Sequence, residues 1–319
     1  MISSLRTSGI FPPVVLFGVA LSAFRPLGVH AQSPADTAPV TLPYTRQYAV
    51  RSQFNGRDYR LFVAVPPDYA SSGDTTRYRV LYVLDGNDEF PLTVEAHRLR
   101  RVMLGSRAKR SWPDIIIVGI GYPVDQNSET MAARNADYTP TKLSAPDTAC
   151  GAYGRLPSGG GPAFLRVVRD EIVPFIDARY RTTTDRGIMG HSHGGTFALY
   201  TLFEAPGLFR RYAALSPSLW WDRGVMFSFE ARLARERTEL DATVFIAYGS
   251  LEIPCIIQPA RRMLDSLSTH RYTGLDLQSQ VFPDEVHMSV LPSAVGRALQ
   301  ALGYDPSPQA LGYGPPPPP

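Results

Sequence analysis

Lysine is almost missing from this chain. Of 319 residues only Lys109 and Lys142 are lysines, and the arginines are scattered rather than gathered in blocks. With 32 basic and 29 acidic residues the net charge is +3. No continuous basic face follows from that pattern, which argues against a nucleic-acid partner. The lysine of a phosphate loop, G-x-x-x-x-G-K-[ST], is absent too. No internal repeat and no interdomain linker interrupts the chain. Beyond the first 25 residues no apolar run is long enough to cross a bilayer. Cysteine is scarce, with only Cys150 and Cys255.

The N-terminus reads as a signal peptide over 1–31. Arg6 makes a positive start, "VVLFGVALSAF" (14–24) is a short apolar stretch, and "VHA" (29–31) offers a small-x-small cleavage site. An uncleaved anchor is the other reading, opposed by the prolines at 12, 13 and 26. The expectation is an exported, periplasmic or secreted protein with no stable membrane insertion after cleavage. In such a protein two cysteines are a disulfide candidate, the alternative being two buried free thiols. Residues 32–43 form a flexible lead-in and residues 305–319, ending "GYGPPPPP", a proline-rich tail.

Between them, residues 44–304 read as one domain. "RQYAVRSQ" and "RDYRLFVAV" flank "FNG", an antiparallel hairpin turning at Asn55-Gly56. "RVLYVLDG" (79–86) and "DIIIVGIGY" (114–122) are near-continuous apolar runs, as in strands buried on both faces. A helix over 93–104 separates them. A long amphipathic helix covers 161–180, with Pro174 kinking it. A short strand at 186–189, a helix at 194–203, strands at "RYAALSPS" and "ATVFIAYGS", a helix at 259–267, a strand at "LQSQVFPD" and a helix at 290–302 follow. The alternation predicts an α/β fold with a doubly wound, mostly parallel sheet led by an antiparallel hairpin.

The chemistry centres on "GHSHGG" (190–195). A strand enters this G-x-S-x-G and a helix leaves it, the setting that presents a serine at the carboxyl edge of the sheet. Ser192 is the candidate nucleophile. A serine hydroxyl needs a base. His191 and His193 are its sequence neighbours, but adjacent side chains diverge on a tight turn. His287, after the last strand, sits where catalytic groups gather in a doubly wound sheet. Glu252, in the loop after the preceding strand, is favoured as the orienting acid over a Ser–His dyad helped by another group. The order Ser192, Glu252, His287 is that of an α/β-hydrolase. The backbone N–H groups of His193 and Asn87 are the candidate oxyanion donors, Asn87 being placed in the loop after the third strand. His-x-His supplies at most two metal ligands and no nearby cluster offers others, so neither a metal nor a cofactor is expected.

Together "VLYVLDGN", "RNADYTPT", "GGGPAFLRVVRDEIVPFIDARYRT", "GHSHGG", "FRRYAALSPSLWWD" and "FPDEVHMSV" resemble the esterase D-like group of α/β-hydrolases, nearest to bacterial esterases that open catecholate siderophore trilactones. The resemblance implies an α/β-hydrolase fold and ester hydrolysis through an acyl-serine. It supports Ser192, His287 and Glu252 in the triad and Asn87 and His193 in the oxyanion hole. It also implies a pocket lined by Arg134, Tyr138, Trp220 and Trp221. Arg134 would meet an anionic substrate or, alternatively, brace its loop. A Cys150–Cys255 bond would tie a chain-specific loop to the segment carrying Glu252. A small-molecule ester is the expected partner. Acyl transfer to a sugar or other alcohol by the same triad, and a non-catalytic binding scaffold, are the competing readings.

Overall fold

A computed structural model describes residues 40–111, 114–124, 127–144, 150 and 156–305. The expected signal segment, most of the lead-in and all but the first residue of the proline-rich tail lie outside the described residues. The chain divides into two compact units, Met1–Thr41 and Leu42–Pro319, and only the second is described below.

Strands β1 (Thr45–Arg51) and β2 (Asp58–Ala64) form the expected hairpin. Gly56 takes φ 66°, a left-handed turn conformation that glycine adopts without penalty. Then come β3 (Tyr78–Val83), β4 (Ile115–Gly121), β5 (Thr182–His191), β6 (Arg211–Leu215), β7 (Glu239–Gly249) and β8 (Thr273–Phe282). The sheet order is β1-β2-β4-β3-β5-β6-β7-β8. β1 to β2 and β2 to β4 are antiparallel, and every later pairing is parallel. The chain leaves β3 for β4 on one side and returns to β5 on the other. Such a reversal opens a crevice at the carboxyl ends of the strands it separates.

Nine α-helical segments connect the strands among the described residues: α1 (Gly86–Ser111), α2 (Ser128–Tyr138), α3 (Gly161–Arg166), α4 (Val173–Asp177), α5 (His193–Glu204), α6 (Trp221–Gly224), α7 (Met226–Glu236), α8 (Pro254–His270) and α9 (Val290–Ala301). Alternate strand residues feed two cores. Val80, Tyr82 and Leu84 meet Phe164, Phe197 and Leu199 on one face. Leu81 and Val83 meet Phe90, Val94 and Val290 on the other. Both faces are covered, which explains the unbroken apolar runs of β3 and β4.

The long helix expected over 161–180 is interrupted differently from a simple proline kink. A π-helical turn, Val167–Ile172, joins α3 to α4 just ahead of Pro174. Proline lacks the N–H for the ladder and clashes with the preceding turn, and a wider turn absorbs both effects. Helices α2 and α7 went unforeseen. The oxyanion candidate Asn87 also lies in the first turn of α1 rather than in a loop, because the helix begins at Gly86, directly after the β3 turn. A methyl on Gly86 would stand 2.7 Å from the backbone of Gly119, so only glycine lets the chain turn so close to β4.

Candidate active site

The carboxyl edge of the sheet holds four non-glycine residues with positive φ: Asp85 after β3 (51°), Ser192 after β5 (58°), Ser216 after β6 (45°) and Asp284 after β8 (59°). Such conformations cost about 1–3 kcal/mol each and persist only where surrounding structure over-determines them. At Ser192 the cause is visible. β5 ends at His191 and α5 starts at His193, leaving one residue to reverse the chain. Its N–H donates to Leu215 O at 2.9 Å, and its carbonyl accepts from Thr196 and Ser218 N–H at 3.1 and 3.2 Å. A methyl on Gly190 would lie 2.5 Å from the Gly194 carbonyl carbon, so strand and helix meet there with no room for a side chain.

Glu252, in the β7–α8 loop, and His287, in the β8–α9 loop, are brought together by the parallel pairing of β7 and β8. Glu252 Oε2 accepts from His287 Nδ1–H at 2.7 Å. Glu252 Oε1 accepts from Ser216 Oγ–H at 2.5 Å and Gly249 N–H at 2.8 Å. Burial pushes this carboxyl up, but the hydrogen bonds from His287, Ser216 and Gly249 outweigh it and hold the group below its ordinary value. The pair at His287 sets the tautomer of the ring, Nδ1 protonated and Nε2 turned away from the acid.

His191 has a role that sequence reasoning missed. Its Nε2–H donates to the His287 carbonyl at 2.8 Å, and the two rings lie 4.5 Å apart. The strand that delivers Ser192 therefore also holds the loop that carries His287. Burial, then the neighbouring His287, lowers His191 to about 3, so its ring is neutral and adds no charge beside that loop. His193 is buried at 2% exposure against Trp221 and Trp220, with ring centroids 5.3 and 5.8 Å away. Burial depresses it to about 3 as well. Ser192 Oγ faces Ser218 Oγ at 3.2 Å. Among the described residues no hydrogen bond joins Ser192 Oγ to the His287 ring.

The helix N-termini of α5 and α1 meet at this point. A methyl on Gly194 would stand 3.5 Å from Leu84 Cβ and 3.4 Å from Asp85 Oδ2. The leading N–H groups of a helix look out past its first turn. His193 leads α5, and Asn87 follows Gly86 at the head of α1. The Asn87 side chain locks onto the residue that follows β4, accepting from Tyr122 N–H at 2.8 Å and donating to Tyr122 O at 3.0 Å.

Arg134 grips Asp85 through one edge of its guanidinium, Nε to Oδ1 at 2.6 Å and Nη2 to Oδ2 at 2.7 Å. That pairing matches the loop-bracing alternative. Tyr138 is fully buried, its hydroxyl accepting from Asp85 N–H at 2.9 Å. Trp221 is fully buried, its Nε1–H donating to Thr141 O at 3.0 Å. Trp220 is buried as well. Tyr138 and Trp221 thus each bury a large ring while the polar tip is satisfied by the backbone. Cys150 and Cys255 are bonded, with Cα atoms 5.8 Å apart. The bond fastens residue 150 to the start of α8, three residues beyond Glu252. Among the described residues no cluster of His, Cys, Asp or Glu could hold a metal ion.

Residues 52–255 match the protein family described as "Putative esterase". The chain is 29% identical to the ferri-bacillibactin esterase BesA of Bacillus subtilis over 82% of its own length and 90% of the relative's. It is 30% identical to the siderophore triacetylfusarinine C esterase of Aspergillus fumigatus over 73% and 75% of the two chains. The BES protein of Bacillus cereus, a solved structure, superposes with a TM-score of 0.73 at 27% identity, covering 84% of this chain and 98% of that one. Family, sequence relatives and the doubly wound sheet agree: the chain belongs to this esterase family, has the α/β-hydrolase fold, and is a hydrolase of carboxylic ester bonds.

Proposed function

We propose that the protein is an exported serine esterase that opens siderophore-type lactones or related esters through an acyl-serine on Ser192, with His287 as base and Glu252 as its orienting acid. The observation that carries the reading is the Glu252–His287 hydrogen bond of 2.7 Å on loops held against the strained turn at Ser192. Relatives named for ferri-bacillibactin and triacetylfusarinine C supply the substrate class. The signal-like N-terminus and the disulfide support export. Among the described residues no helix is long and apolar enough to cross a membrane.

When an ester binds, the Ser192 hydroxyl leaves Ser218 and turns to His287 Nε2. Catalytic hydrogen bonds that are loose in a free enzyme commonly tighten in the complex. Ser192 Oγ bonds to the carbonyl carbon as its proton passes to Nε2. The carbonyl oxygen becomes an oxyanion facing the N–H groups of His193 and Asn87, at helix ends that favour negative charge. The C–O bond then breaks, and the alcohol leaves with the proton from Nε2. Water repeats the sequence on the acyl-serine and frees the acid. Throughout, Glu252 stabilises the imidazolium without taking its proton.

The test is direct. Wild type and Ser192→Ala are compared on a siderophore trilactone and on p-nitrophenyl butyrate, alongside labelling by a fluorophosphonate probe. The expected result is one labelled site, at Ser192, and loss of both activities in the variant. Retained activity, or a label elsewhere, overturns the assignment.

A further inference from the structure

Glu252 and His287 are each bracketed by apolar residues that face solvent. Leu251 is 59% exposed and Ile253 51%, on either side of Glu252 at 7%. Val286 is 47% exposed and Met288 68%, on either side of His287. Single exposed apolar residues are ordinary; four on two adjacent loops are not. The loops are tied to each other, since Leu251 N–H donates to Glu285 O at 3.0 Å and Asp284 N–H to Ser250 Oγ at 2.9 Å. A methyl on Gly249 would stand 2.2 Å from Glu285 O, so the two backbones touch. The backbones that present the four exposed side chains are therefore adjacent, and one of them carries His287.

The charge on these loops has one sign. Besides Glu252 they carry Asp284 and Glu285, and no lysine or arginine lies in residues 250–253 or 283–289. Arg134, the cation under the elbow, is held by Asp85. This side of the mouth would bury apolar surface readily and would repel an anionic one.

Resting on the assignment of Ser192, His287 and Glu252, we infer that Leu251, Ile253, Val286 and Met288 form an apolar lip that selects esters with an uncharged, apolar arm over esters whose arm is anionic. An aliphatic or aryl arm gains by covering the lip. An ionised arm loses that gain and meets Asp284 and Glu285.

Two soluble esters of equal length separate the outcomes: p-nitrophenyl hexanoate and mono-p-nitrophenyl adipate, which ends in a carboxylate. The wild type should prefer hexanoate in kcat/KM by about tenfold or more, the scale on which apolar pockets discriminate. Leu251→Arg combined with Met288→Arg, at exposed positions that tolerate charge, should bring the ratio to about one or below. Met288→Ser, which removes apolar surface without adding charge, should lower it by a smaller factor. A wild-type ratio near one, or a ratio unmoved in the variants, overturns the lip. So does co-sedimentation of the wild type with neutral phosphatidylcholine vesicles that the double variant loses while the ratio on soluble esters stays put, since the patch would then face lipid. p-Nitrophenyl acetate, whose acyl group has only two carbons, tests the serine by itself. If wild type but not Ser192→Ala hydrolyses it and the ratio is near one, only the lip fails. If Ser192→Ala hydrolyses it as well, the catalytic assignment fails and the lip with it.

Discussion

The two edges of the sheet are built from opposite materials. At the amino edge arginines close the structure. Arg211 forks onto Asp185 at 2.9 and 2.8 Å and donates to Leu302 O at 2.7 Å. Arg186 pairs with Asp177 at 2.7 Å, and Arg79 donates to Gly303 O at 2.9 Å. Arg211 is held through Nε, Nη1 and Nη2. At the carboxyl edge the chain holds strained backbone at Asp85, Ser192, Ser216 and Asp284, two buried neutral histidines and an apolar rim open to water. Strained turns therefore gather at the edge that carries Ser192, Glu252 and His287, while arginine–carboxylate pairs gather at the opposite edge.

That contrast can be broken by experiment. The largest effect should come from Ser192→Ala, with turnover on p-nitrophenyl butyrate falling on the order of 10⁶-fold while the urea unfolding curve barely moves. Glu252→Gln, which keeps shape and loses charge, should lower kcat by about 10⁴-fold, read in the same assay. A smaller loss would mean that another group orients His287.

Acid should then separate the edges by stability. Burial holds His191 and His193 at about 3, against 6.5 for an ordinary histidine. Above pH 6.5 both rings are neutral folded or unfolded, and their contribution is fully present. Between pH 6.5 and about 3 the unfolded chain binds protons that the folded chain refuses, so stability falls as pH falls, by on the order of several kcal/mol in all. Urea midpoints taken from pH 7 to 4 should show this slope. It should flatten in His191→Asn and persist in Arg211→Ala.

Arg211→Ala itself should cost about 1–3 kcal/mol of unfolding free energy, the usual loss for charged hydrogen bonds, with kcat/KM unchanged. Any large loss of activity would show that the edges are coupled. The smallest effect has the opposite sign. Ser192→Gly relieves a φ of 58° and should stabilise the fold by about 1 kcal/mol while abolishing turnover, as calorimetry and the ester assay would show together.

Much of this architecture is legible in the chain. The apolar runs of β3 and β4, the Asn55-Gly56 turn and the strand–helix setting of Ser192 all follow from local pattern. Helix α7 is less so. Its inward residues, Met226, Glu230 and Leu233, include a carboxylate that breaks the apolar stripe. Only the fold reveals that Ser266, His270 and Tyr272 satisfy it. Helix α2 carried a readable start, Asn127 accepting from Thr130 N–H at 2.8 Å, but its apolar face is weak.

For the proposed site, sequence alone supplied the candidates: a serine on a sharp turn, then an acid and a histidine after later strands in hydrolase order. Local sterics and the period of burial suffice for that, because they act within a few residues. Tertiary structure decided the partnerships. Arg134 goes to Asp85, His191 to the His287 carbonyl, Ser216 to Glu252, and Tyr138 and Trp221 to the core. Each joins residues 36 to 96 positions apart or buries a ring under a distant helix. A polar group takes whichever donor or acceptor the packed sheet brings within 3 Å, and sequence neighbours do not set that choice.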